Sequence, residues 1–360
     1  MKFLSIEEKI QRHMDYWEGR PQKRPLTIVR TGDWFFSREF KPNLELLKKG
    51  RPLDPHEIDV EAYLPDYDRM YNTLETLPTD MFFAADPCTG FPWIEGIMGA
   101  KITGEEGSFF THPVLDDVED LEDYEVSLEG NPWYDKYLEF VRVLTEHSNG
   151  RYPVGEPIMR GASDTIGSLI GQENMACGVL TDPDIMHKAF NRVVDVQRKL
   201  IDDSYRIMKP FHGGYSFGFY HIWAPDRVMW YQEDLSALLA PKHFEEFLLE
   251  TSHRYLEGYN YTLMHLHPLS FRHLDLILTI DELKVVQINK DVGGPTVHEM
   301  VPEFRKVLEK GKNLAIGMGR VDKDDIDAIM DELPRERVAI NFITEKPEEA
   351  MELIEYMDRK

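Results

Sequence analysis

Cysteine is almost missing: Cys88 and Cys177 are the only two in 360 residues. That excludes a disulfide framework, and it excludes a zinc site assembled from several thiolates of one chain. Basic residues are scarce as well, with 41 Lys plus Arg against 65 Asp plus Glu and a net charge of −24. Such a balance repels phosphate backbones and anionic lipid surfaces, so neither nucleic acid nor membrane is an expected partner. No apolar run approaches the roughly 18 residues that a membrane span needs. The opening MKFLSIEEKIQRHMDYW carries charges throughout, where a secretory leader would be apolar. It reads as an amphipathic helix, so residues 1–25 are expected as an N-terminal helical extension of a cytoplasmic protein.

What the chain does have is alternation. Eight short segments, mostly apolar or small, are each followed by a turn signal and a helical pattern: 26–31, 81–86, 154–160, 214–219, 262–267, 284–289, 313–318 and 338–343. Helical spacing is clearest over 185–209, 241–259, 297–310 and 347–357. The order predicts an α/β fold, a (β/α)8 TIM barrel over residues 26–360 in one domain, with an open doubly wound sheet as the alternative. Residues 36–78 form an excursion between the first two strands. LDDVEDLEDYEVSLEG (115–130), with eight acidic side chains and no basic one, reads as a solvated connection or a docking surface for a basic partner.

In a barrel the chemistry sits on loops after the C-terminal strand ends. Those ends carry Arg30 and Asp33, Asp86 and Cys88, Arg160 and Asp164, Tyr220 and His221, His265 and His267, Asn289 and Lys290, Met318, and Thr344 and Glu345. The set is polar and partly titratable, as an enzyme mouth would be. In TLMHLHP, side chains alternate faces, so His265 and His267 share one face, about 7 Å apart along the strand, with Met264 and Leu266 opposite. Three roles stay open for them: metal ligands, substrate or acid–base groups, and structural histidines. Further metal donors would come from Asp86, Cys88, His221 or Glu345. Asp86 ends an apolar run, where a carboxylate is costly unless used or paired. Cys88 is a small loop residue or a thiol without a basic neighbour in sequence. Arg160 holds an anion or pairs with Asp164. The aromatic stretch GYSFGFYHIWAPDRVMWYQED places Tyr220, Trp223 and Trp230 on a loop able to wall a flat pocket.

Three stretches carry a family resemblance: MFFAADPCTGFPWIEGIMGAKI, GEPIMRGASDTIGSLIGQENMACGVLTDPDIMHKAFNRV and WYQEDLSALLAPKHFEEFLLE, followed by TLMHLHPLSFRHLDLILTIDELKVVQINKDVGG. In motif order over about residues 79–357 the chain resembles the uroporphyrinogen decarboxylase superfamily, which includes a tetrapyrrole decarboxylase and corrinoid-dependent methyltransferases. The resemblance implies a distorted (β/α)8 barrel. Asp86 matches the decarboxylase aspartate, but RTGDWFF replaces the paired-arginine motif and NFITEKPEE lacks the histidine-containing turn. His265 matches the histidine of the thiol-activating methyltransferases, whereas His267 stands where their first zinc-binding cysteine would be. The implied function is methyl transfer from a small methoxylated or methylated donor to the corrinoid of a partner protein, with zinc as a further cofactor option. His265, His267 and Asp86 are the expected catalytic residues. Arg30, Arg160, Asp164, Tyr220, His221, Trp230 and Asn289 are expected to bind substrate, and His265, His267 and Glu345 to hold a metal. A carboxy-lyase acting on a tetrapyrrole and a non-catalytic corrinoid-binding barrel are the alternatives, and a homodimer is compatible with each.

Overall fold

Runs such as LAIGM and VAINF, apolar but for Asn341, suit a parallel sheet covered on both sides. In the computed structural model, which describes residues 3–33, 36–105 and 107–360, they lie in such a sheet. Trp34 and Phe35 of the RTGDWFF motif fall outside the described residues, as do Met1, Lys2 and Glu106. In chain order the strands are β1 (Leu26–Thr31), β2 (Lys101–Glu105), β3 (Ser108–His112), β4 (Tyr215–Phe217), β5 (Ile222–Ala224), β6 (Val228–Gln232), β7 (Tyr261–Leu266), β8 (Val285–Asn289), β9 (Asn313–Gly319) and β10 (Val338–Thr344). Six form one sheet of order β1-β10-β9-β8-β7-β6, parallel at every junction. β2 with β3 and β4 with β5 make separate antiparallel pairs. The fold is TIM-barrel-like.

Five expected strands lie where the pattern placed them, and three segments behave differently. Residues 81–86 and 154–160 run extended but make no ladder. Single parallel bridges join Ala85 to Val154 and Arg160 to Gln232. The 214–219 segment is not a member of the sheet. Its β4 folds back on β5 through His221, a non-glycine residue at φ 55. This hairpin crosses residues 154–156 backbone to backbone: a Cβ on Gly155 would lie 2.3 Å from the Ser216 carbonyl oxygen, and one on Gly218 2.6 Å from that of Glu156. The strand that joins the sheet is β6, VMWYQ, buried throughout and read from sequence as an aromatic loop.

The N-terminal helix, Ile6–Glu18, opens with a Ser5 capping box and packs into the core. His13 and Tyr16 are fully buried. Trp17 Nε1 donates to the Trp223 carbonyl at 2.8 Å and Lys9 Nζ to that of Met81 at 3.0 Å. Within the 36–78 excursion, a turn at Phe36–Glu39 and the helices Lys41–Leu46 and Leu64–Leu74 fold back over the end of β1. The acidic 115–130 stretch lies mostly exposed, anchored by buried Val118 and Leu121. Among the described residues no helix is long and apolar enough to cross a membrane.

Candidate functional site

Parallel pairing in register puts Gln232, His265 and Gln287 side by side on β6, β7 and β8. Neighbouring strands lie about 4.8 Å apart, so the three side chains form one polar row on one face of the sheet. The opposite face takes Tyr231 and Met264, and the Tyr231 ring stacks on Tyr255 of the helix Leu249–Leu256. His267 follows β7 by one residue and Asp234 follows β6 by two, which brings both to the C-terminal edge above that row.

Asp234, His265 and His267 converge. One ligand-capable atom from each lies within 4.8 Å of the others. The Nε2 atoms of His265 and His267 stand 3.9 and 3.8 Å from the Asp234 carboxylate, and the two imidazoles meet edge to face at 4.6 Å. Each Nδ1 already has a partner: Gln287 Oε1 for His265, and Asp291 Oδ1 at 2.7 Å for His267. These oxygens only accept, so the Nδ1 atoms carry protons and each ring, when neutral, turns an Nε2 lone pair toward Asp234. Gln287 is itself oriented by donating to Asn289 Oδ1 at 3.0 Å, and Gln232 donates to Asp234 Oδ2 at 2.6 Å. Asp234 Oδ1 is buried with no hydrogen-bond partner. Two lone pairs and an orphaned carboxylate oxygen facing one another, too far apart to bond directly, are the electrostatics of a cation site.

The imidazoles differ in proton affinity. Burial pulls His265 below the ordinary histidine value, with the Asp234 charge offsetting part of the effect. For His267 burial acts in the same direction, but the hydrogen bond to Asp291 and the charges of Asp234 and Asp291 prevail and raise it. A proton on His267 Nε2 would therefore compete with any metal for the same lone pair.

Asp234 is itself held by a pair of reciprocal caps. The helix Ala162–Ile170 begins at Gly161, which has no side chain to cap it. Glu233, the residue after β6, supplies the cap, accepting from the backbone N–H groups of Ala162 and Ser163 at 2.9 and 2.8 Å. In return Asp164 accepts from the backbone N–H groups of Asp234 and Leu235 at 3.1 and 2.7 Å.

The other residues expected from sequence are distributed as follows. Asp164 serves as that cap. Arg160 pairs with Glu95 at 2.7 Å and not with Asp164. Asn289 sits beneath His265, bonded to Gln287. Trp230 lies inside β6 and is fully buried, so it is core and not loop; Trp223 packs with Phe82 and Phe211 against the N-terminal helix. Tyr220 is buried with its ring 6.4 Å from that of His265. Glu345 pairs with Arg320 and is more than half exposed, at 55%, and the converging group does not include it. Cys88 is buried, accepts from Asn43 Nδ2 at 3.3 Å, and has its thiol pushed up by burial. Arg30, Asp86 and His221 line a separate pocket with Phe36, Phe83 and Phe219.

Asp234 was missed because the strand end was sought after residue 219 and lies after 232. The signal was present: VMWYQED is an unbroken apolar run ending in Gln, Glu and Asp, the profile of the other strand ends.

No protein-family model and no curated protein matches the chain. Among solved structures it is similar to a methyltransferase from Methanosarcina mazei, with 14% identity, a TM-score of 0.65 and coverage of 99% of each chain. At that identity the likeness shows the fold alone. A β-mannanase from a symbiotic protist of the termite Reticulitermes speratus, complexed with gluco-manno-oligosaccharide, matches at 11% identity over 83% of this chain and 87% of that one; its TM-score of 0.33 supports no argument.

Proposed function

We propose that the protein is a methyltransferase that takes a methyl group from a small methoxylated or methylated donor and passes it to the corrinoid of a partner protein. Asp234, His265 and His267 would hold zinc at its reaction centre. In this reading the six-stranded sheet and the two bridged segments together make the staves of a distorted (β/α)8 barrel. The observation that carries it is the convergence of two imidazole Nε2 atoms on the Asp234 carboxylate, His265 on the partnerless Oδ1 and His267 on Oδ2, with both Nδ1 atoms already engaged. Two nitrogens and a carboxylate oxygen suit zinc, and three protein ligands leave a position for substrate. Bound there, zinc acts as a Lewis acid that polarises a donor oxygen or nitrogen and makes it a better leaving group.

The chain's own groups do the rest. Gln287 and Asp291 fix the tautomers of the two histidines, and Gln232 with the Asp164 cap fixes Asp234. Tyr220 and Trp230 close the side next to His265 with apolar surface, which excludes water from a carbon centre that must meet cobalt and not hydroxide. The methyltransferase-like fold supports the reading at the level of architecture. A poly-anionic tetrapyrrole is the poorer fit. Among the described residues lining the Arg30 pocket there is one Lys or Arg, and Asp33, Glu39 and Asp86 stand beside it.

Metal-loaded protein, mixed with a Co(I) corrinoid and a panel of methoxyaromatics and methylamines, is expected to produce methyl-cobalt, read from its absorbance. Asp234→Ala should lower the rate at least about a hundredfold and lose stoichiometric metal in elemental analysis. Silence across the panel with metal bound would sink methyl transfer. A metal-free protein after metal repletion would sink the zinc centre.

A further inference from the structure

The second cavity has its own chemistry. It lies between the end of β1, the Phe36–Glu39 turn, the helix Leu64–Leu74 and residues 219–221, and its surface is mostly apolar. Its one cationic side chain among the described residues, Arg30, projects from β1 with its guanidinium 4.0 Å from the Phe36 ring centroid and 5.7 Å from that of Phe219. Among the described residues no carboxylate comes within ion-pair distance of it. Burial outweighs the more distant charges of Asp86 and Glu39 and pulls Arg30 down to about 10. A half-buried guanidinium without an ion pair is costly, and its planar fork of donors matches a carboxylate.

His221 adds a second donor. Its Nδ1 accepts from the Ala84 backbone N–H at 3.1 Å. Burial, helped by the Arg30 charge, pulls the ring down to about 3. The neutral imidazole therefore carries its proton on Nε2, and the strained φ of 55 is what turns this ring into the wall. The acids nearby are offset in different ways. Glu39 is paired with Arg69 at 3.2 Å. Burial raises Asp86 to about 7, and its Oδ1 accepts from Thr89 Oγ1. The space amounts to about 80 Å³, room for roughly six water-sized occupants at 10–15 Å³ each. That admits a single substituted ring.

We infer that this pocket binds a small aromatic carboxylate, its anionic end on Arg30 and His221 and its ring against Phe36, Phe83 and Phe219. The geometry also sets the pocket behind the converging group. Phe219 stacks on Trp230 at 6.1 Å and meets Tyr220 edge to face at 5.0 Å, and Tyr220 lies against His265. One aromatic wall thus separates the pocket from the Asp234–His265–His267 group. The 36–78 excursion supplies one side of the pocket through Phe36, Phe40, Tyr67, Met70 and Leu74.

Binding tests this without any turnover. Benzoate, 4-methoxybenzoate and the neutral isostere benzamide are titrated into the full-length chain by calorimetry, alongside Arg30→Gln, Arg30→Lys and His265→Ala. The wild type is expected to bind both acids at least tenfold more tightly than benzamide. Arg30→Gln should remove that preference, Arg30→Lys should keep part of it, and His265→Ala should leave it intact. Circular dichroism confirms that each variant is folded, and the benzoate-to-benzamide ratio on wild-type protein stands even where a variant is not. No preference for the acids overturns the proposal, as does a folded Arg30→Gln that binds like wild type. Loss in His265→Ala would place the anion at the histidines and overturn it too. Because no methyl group moves in this experiment, a failed methyl-transfer assay leaves its outcome untouched.

Discussion

The half of the molecule built on β6 to β9 and the half built on β1 with segments 80–88 and 153–160 meet the same demand by different means. In the first, backbone N–H and C=O groups pair strand to strand along continuous parallel ladders. In the second, side chains stand in for missing neighbours. Asp80 accepts from the Thr27 N–H at 2.8 Å, Thr79 donates to the Thr27 carbonyl at 2.8 Å, His221 accepts from Ala84, and the Tyr67 hydroxyl donates to the Asp86 carbonyl and accepts from the Cys88 N–H at 3.0 Å. Buried backbone groups have to be paired either way. The ladder gives register, and register lines up Gln232, His265 and Gln287, each of which has a hydrogen-bond partner beneath or beside the Asp234 site. The substituted half gives up register and gains room: it holds the aromatic pocket, Arg30 with no ion pair among the described residues, the strained His221 and the buried Glu156.

The largest expected effect breaks the substitute pairing. Asp80 is fully buried between Arg24 at 2.6 Å and Arg12 at 3.1 Å. Burial alone would raise its carboxyl, but the two guanidiniums and the Thr27 hydrogen bond prevail and hold it below the usual range. Its contribution is therefore complete above that range and is lost only as pH falls through the lowered value. Asp80→Asn removes the only ion pair of Arg12 among the described residues and leaves Arg24 with Asp358 alone, and it should cost about 3–5 kcal/mol in urea unfolding. A loss below about 1 kcal/mol would show that this half does not depend on it.

Glu156 sharpens the comparison in the opposite direction. Both its oxygens are buried without a hydrogen-bond partner, and burial raises it from 4.5 to about 8. Between those values the native state keeps a proton that the unfolded chain has released, so stability falls as pH rises through that window. Glu156→Gln should flatten the slope and gain on the order of 3 kcal/mol at pH 8, shrinking toward zero near pH 4.5. An unchanged pH profile in the variant would remove the orphaned acid from the account.

The smallest effect tests the ordered half. Asp291→Ala and Gln287→Ala each leave the three converging ligands in place but release a histidine ring. Zinc affinity, measured by competition with a chromophoric chelator, should fall about 10- to 100-fold in each with thermal unfolding little changed. Equal affinity in wild type and both variants would mean that the polar row does not organise the site.

How much of this could be read from the chain follows the same division. β7 to β10 were legible because apolar runs bounded by turns become parallel strands whenever helices cover them, and the alternation in TLMHLH is enough to put His265 and His267 on one face. β6 was not legible: VMWYQ and GYSFGF look alike locally, and only the hairpin turn at His221 and the close approach at Gly155 and Gly218 decide which one enters the sheet. Asp234, the third member of the converging group, went unrecognised with it. Arg160 illustrates the same limit, since its partner Glu95 lies 65 residues away.

The sequence by itself determined the class of fold, the exclusion of a zinc site built from several thiolates of one chain and the shared face of the two histidines, because composition and a two-residue period act over a few neighbouring positions. Which carboxylate joins those histidines, which segments pair and which leave a cavity, and which buried charges go without partners were decided only in the tertiary structure. Those outcomes depend on contacts between residues far apart in the chain, where desolvation and register make one arrangement affordable and others not.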